Sequence, residues 1–134
     1  MGTWSCEAFG NDNAADWAFG LEEAEDLSYV EKTLDTVLKA EGYLDASAAQ
    51  EALAAIEVIA RLQGSGGKKD AYSKPADEWV AKHKTPPSPA LVQKAQLAIA
   101  RMLEADSELS DVWHEAGEYN DWLAAVNGLK ARVK

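Results

Sequence analysis

The sequence predicts an all-α single domain over residues 1–134, a bundle of about five to six helices. An N-terminal arm covers 1–10, and a loop-rich excursion with a short helix lies near 64–88. Three observations carry this. Apolar residues recur at helical spacing in almost every segment, with no β-alternation, internal repeat or low-complexity tract. A chain that is 47% hydrophobic and 27% charged has a globular composition. At 134 residues it is the length of one compact domain, and such a chain buries roughly 68% of its unfolded surface.

Each element has its own signature. Ala14, Trp17, Ala18, Leu21 and Ala24 share one face of a first helix, with Asn11 or Asp12 as its N-cap. A second helix starts at Ser28, with Glu31 placed for a capping box, and buries Val30, Leu34, Val37 and Leu38. It ends near Glu41 and Gly42, glycine being suited to a C-terminal cap. The third helix, Ala46 to Gln63, is apolar nearly all round and belongs in the middle of the bundle. A flexible Gly64-Ser65-Gly66-Gly67-Lys68-Lys69 loop and a stiff Thr85-Pro86-Pro87-Ser88-Pro89 segment bracket a short helix from Pro75 to Lys82. Ser88 then caps a helix with Pro89 in its first turn, which buries Leu91, Ala95, Ala98, Ile99 and Met102. The C-terminal segment divides in two. Leu109, Val112, Trp113 and Ala116 form one apolar face; Trp122, Val126, Leu129 and Val133 form another, rotated by about a quarter turn. A break between Gly117 and Asp121 follows, with Asn120 or Asp121 capping the last helix.

The charge is lopsided. Residues 1–63 hold 13 acids against Lys32, Lys39 and Arg61, a net of −10, while residues 64–134 hold 10 acids and 10 bases. Phosphate binding needs clustered Lys and Arg, so a nucleic-acid partner is disfavoured. Such a field steers in a basic protein partner, or serves only as a solubility surface. The single Cys6 cannot close an internal disulfide and favours a reducing compartment. Met1-Gly2 lacks the Ser or Thr at position 6 that myristoylation wants, and no apolar run reaches bilayer length. The expectation is a cytoplasmic protein with no membrane partner.

Candidate functional residues are few. Trp17, Trp113 and Trp122 fall on apolar faces and read as core, while Trp4 reads as an anchor for the N-terminal arm. Trp79 becomes a binding candidate if it is exposed. Phe19 lies about 100° from the centre of the first helix's apolar face, beside Asp16, Glu22 and Glu23, with Asp12 on the same side. An aromatic among carboxylates is an anchor for a basic partner, or packs under a neighbouring loop. Glu108, Asp111, Glu115 and Glu118 fall within an arc of roughly 80°, bordered by His114. This reads as a solvated acidic face; a metal site using Asp111, His114, Glu115 and Glu118 is the alternative. No Gly-x-Ser-x-Gly elbow, phosphate loop or Cys pair appears, so neither enzyme activity nor a cofactor is expected.

Two tryptophan-marked blocks carry a resemblance. Met1-Gly2-Thr3-Trp4 with Phe9-Gly10-Asn11-Asp12-Asn13-Ala14-Ala15-Asp16-Trp17 stands at one end. Ser107-Glu108-Leu109-Ser110-Asp111-Val112-Trp113 with Trp122-Leu123-Ala124-Ala125-Val126 stands at the other. Together they resemble an uncharacterised bacterial family, domain of unknown function 4259, over essentially the whole chain. Ser5 and Glu7 stand where glycines are usual in that family. The resemblance implies no activity. The expected function is a small acidic module that binds a basic protein, as an inhibitor or immunity-type partner does. Its expected surface is Asp12, Asp16, Phe19, Glu22, Glu23 and Trp79. The alternative is a self-associating module using Trp79 or Phe19.

Overall fold

The computed structural model describes residues 8–67, 69 and 71–134. Trp4, Cys6 and most of the N-terminal arm lie outside them. Among the described residues there are seven helices: α1 (Asp12–Leu21), α2 (Ser28–Leu38), α3 (Ala46–Leu62), α4 (Lys74–Lys82), α5 (Pro89–Leu103), α6 (Glu108–Ala116) and α7 (Tyr119–Arg132). The all-α class holds, with more helices than the five to six expected. Outside the helices, an isolated β-bridge joins Leu44 and Ser107.

The helix α3 is the axis, and it packs against all six others. Its alanines are the reason. Ala49, Ala52, Ala54, Ala55 and Ala60 are fully buried and keep its radius small, so neighbours approach from every side. Ile56, Val58 and Ile59 fill the spaces between them. Burial at roughly 25 cal/mol per Å² of apolar surface is what holds such an axis in place.

The boundaries follow local chemistry, with some departures from expectation. Asn11 Oδ1 accepts the Ala14 amide at 2.7 Å and starts α1. Asp45 and Ser88 similarly start α3 and α5, at 3.3 and 3.1 Å. The capping box of α2 does not form, because Asp26 takes both the Ser28 amide (2.9 Å) and hydroxyl (2.6 Å). Those two bonds hold the Asp26 carboxyl below its usual pKa. Glu31 is thereby free to reach Lys94 on α5. The helix also stops at Leu38, short of Gly42, whose φ of +73° instead serves the following turn. The expected C-terminal break is real. Gly117 has φ +75°, a left-handed conformation that glycine adopts without penalty, and turns the chain from α6 into α7. Neither Asn120 nor Asp121 caps α7; Glu118 occupies that position without a side-chain bond. On α6, Val112 and Ala116 are exposed, while Leu109 and Trp113 carry the burial.

The excursion is less peripheral than its composition implies. The short helix α4 lies against α1 and α3 and buries Ala76 and Trp79. Trp79 donates its indole N–H to the Ala24 carbonyl at 2.9 Å and stacks on His83 at 4.3 Å.

Candidate functional site

The outward face of α1 is built by the demands of its inward face. Trp17 is buried, donates its indole N–H to Thr33 Oγ1 at 2.7 Å, and stacks on Tyr29 at 5.1 Å. Tyr29 in turn donates its hydroxyl to the Trp17 carbonyl at 2.8 Å. With Ala14, Trp17, Ala18 and Leu21 all turned inward, helical geometry sends Phe19 outward. It is 62% exposed. Asp12, Asp16, Glu22 and Glu23 are exposed as well. The structure therefore brings together five of the six expected binding residues on one helix and its end.

The sixth does not belong there. Trp79 is only 3% exposed, because α4 turns its indole inward. An indole that finds both an apolar slot and a carbonyl acceptor has no reason to remain at the surface.

Ion pairing separates these carboxylates from three other acids of the first half, Glu31, Asp35 and Glu57. Lys94 reaches Asp35 at 2.8 Å and Glu31 at 3.0 Å, and those bonds raise its own pKa. Glu57 is paired with Arg61 and Arg132. Among the described residues, Asp12, Asp16, Glu22 and Glu23 form no ion pair. The negative potential reaches α3: burial, then Asp45 and Asp16, raise the pKa of Glu51.

The second acidic group, on α6, is put to structural use. Glu108 is not a free member of an outward stripe; its Oε1 accepts the Ala46 amide at 2.8 Å and caps α3. Asp111 accepts the Tyr43 hydroxyl at 2.6 Å, which raises that phenol to about 12. His114 stacks on Tyr119 with ring centroids 3.6 Å apart. Glu115 and Glu118 are exposed. Among the described residues, no group of three or more His, Cys, Asp or Glu side chains is placed to hold a metal ion. Ser107 stands at the N-cap of α6 but makes no side-chain cap bond, and its buried hydroxyl lacks a hydrogen-bond partner among the described residues.

Sequence reasoning missed the buried ionic cluster. Glu57, 3% exposed, accepts from Arg61 Nη1, from both terminal nitrogens of Arg132 at 2.9 Å, and from the Gly67 amide at 2.5 Å. Arg61 Nε continues to Asp77 at 2.6 Å, and the Arg61 guanidinium lies 5.4 Å from the Phe9 ring centre. Gly67 has little room for a side chain, since a Cβ there would stand 3.0 Å from the Glu57 carboxylate. The available signal was the pair Glu57 and Arg61, four residues apart on a helix that is apolar nearly all round. A charged residue on such a helix has to be buried with its counter-charge.

These features define a helical module with a paired ionic interior and an acidic outer face that forms no ion pair among the described residues. The chain belongs to the family described as Domain of unknown function (DUF4259), whose model matches residues 2–125. Neither a curated protein nor a solved structure matches it. No helix of the described residues is long and apolar enough to cross a membrane.

Proposed function

We propose that this protein is a binding module for a basic protein, in the manner of an inhibitor or immunity-type partner, and that the outward face of α1 is the docking surface. The supporting observation is an exposed Phe19 flanked by Asp12, Asp16, Glu22 and Glu23, none of them ion-paired among the described residues. Unpaired carboxylates steer a cationic partner by long-range attraction, and a central aromatic supplies the desolvated anchor. Self-association through the same face is opposed by its own charge, since two copies would bring these carboxylates together. The reading places the module in the cytoplasm, with no part for a cofactor, nucleic acid or membrane.

The test is a pull-down from the protein's own cells at low and moderate salt, using wild type, F19S, and a variant with Asp12, Asp16, Glu22 and Glu23 changed to Lys. The expected result is a stoichiometric basic partner, weakened by salt and lost in both variants. A partner retained equally by all three forms would remove this surface from the account.

A further inference from the structure

We infer that the outward face of α1 selects an arginine of the partner, taking its guanidinium on the Phe19 ring and its N–H groups on the carboxylates of Asp16 and Glu22. The inference rests on the docking surface proposed above and names the side chain that surface takes. Spacing is the first argument. Phe19 is exposed, with exposed Asp16 three residues before it and exposed Glu22 three residues after. The backbone is still helical at Glu22, whose amide reaches the Ala18 carbonyl. Both carboxylates therefore lie within one turn of the ring, one on either side of it. A ring face attracts a cation, and carboxylates beside it accept hydrogen bonds from that cation. Arginine meets both demands at once, because its guanidinium is planar, stacks on aromatic rings and carries five N–H donors in its own plane. A lysine ammonium is compact and strongly hydrated, and offers no flat face to the ring.

The second argument is that the molecule holds the same combination in its interior, already occupied. The Arg61 guanidinium lies 5.4 Å from the centre of the Phe9 ring while it donates to Glu57 and, at 2.6 Å, to Asp77. A phenylalanine ring and two carboxylates thus hold an arginine beside α3. The outer face of α1 repeats the ring and the carboxylates, in water.

Supply is the third argument. The chain has three arginines, Arg61, Arg101 and Arg132. Arg61 and Arg132 are committed to Glu57, and Arg101 donates to the Gly42 and Asp106 carbonyls. None of them reaches Asp16 or Glu22, and among the described residues no cation pairs with either acid. A second copy of the chain would have to break one of these contacts to offer its own arginine. The guanidinium therefore comes from a different protein, and charge complementarity favours a basic one.

Calorimetric titration of the full chain with two synthetic peptides, one of eight arginines and one of eight lysines, tests this at moderate salt. The arginine peptide should bind about 5-fold tighter, the size of one cation–π contact. F19L keeps an apolar side chain but loses the ring, and should remove that preference; F19Y keeps the ring and should retain it. Changing Asp16 and Glu22 together to Asn and Gln should weaken the arginine peptide by about 10-fold, as expected for loss of charge-assisted hydrogen bonds. Equal affinity of the wild-type protein for the two peptides would overturn the assignment. So would an arginine preference that F19L leaves intact. The wild-type comparison stands by itself if a variant folds poorly. A partner captured from cells and lost in F19S would keep the docking surface even where the peptides bind equally, so the two readings fail separately.

Discussion

The outward face of α1 and the interior beside α3 treat the same kind of residue in opposite ways. On α1, Asp12, Asp16, Glu22 and Glu23 surround an exposed Phe19 and form no ion pair among the described residues. Beside α3, Glu57 is buried and has two arginines and a backbone amide on its oxygens. A carboxylate in water is stabilised by solvent and can remain unpaired; one removed from water has to replace that solvation with charged donors. The comparison shows that net charge says little about where a protein's electrostatics hold structure and where they are available to a partner. Helix α1 repeats the point with aromatics. Trp17 and Phe19 are two residues apart, one satisfied by Thr33 and the other open to solvent.

The largest expected effect is on the buried side. Glu57→Ala leaves Arg61 and Arg132 facing each other without their shared acid, and should cost about 3–5 kcal/mol of stability in urea denaturation. A cost comparable to a surface substitution would break the contrast. Next comes Thr33→Val, which leaves the Trp17 indole N–H buried without its acceptor and should cost about 1–3 kcal/mol by the same measurement. Asn11→Ala, which removes the α1 cap, should cost about 1 kcal/mol. The acidic face should respond least. Single changes of Asp12, Asp16 or Phe19 to Ser should stay within about 0.5 kcal/mol of wild type, whatever they do to partner capture.

A spectroscopic titration sharpens the contrast without measuring stability. Tyr43 is exposed, yet its bond to Asp111 raises its phenol to about 12. Its folded pKa lies above the ordinary tyrosine value of about 10. The contribution of this bond is therefore complete below the ordinary value and is lost as pH rises through the folded one. Phenolate absorbance should show Tyr43 titrating late, beside Tyr29, whose phenol is raised by burial and then by Glu51, and D111N should return Tyr43 alone toward the ordinary range.

Much of this was legible in the chain. Helical periodicity marked the all-α class, the all-round apolar character of α3 marked its central place, and the rotation between the two C-terminal apolar faces marked the break at Gly117. The position of Phe19 among acids also followed from spacing, because helix geometry alone sets which side chains share a face. Local signals misled where a second residue competed. Ser28 and Glu31 had the spacing of a capping box, but Asp26 was nearer to the Ser28 donors. Glu108 looked like one more exposed acid until the fold set it beside the first turn of α3.

What the sequence by itself determined was therefore the all-α class, most of the buried helix faces and the acidic face of α1, all of which depend on residues a few positions apart. Only the tertiary structure decided the rest. It buried Trp79 by supplying a carbonyl 55 residues away, and it gathered Glu57, Arg61, Asp77 and Arg132 into one cluster across separations as long as 75 residues. Periodicity reports which way a side chain points, whereas pairing depends on what the folded chain brings opposite to it.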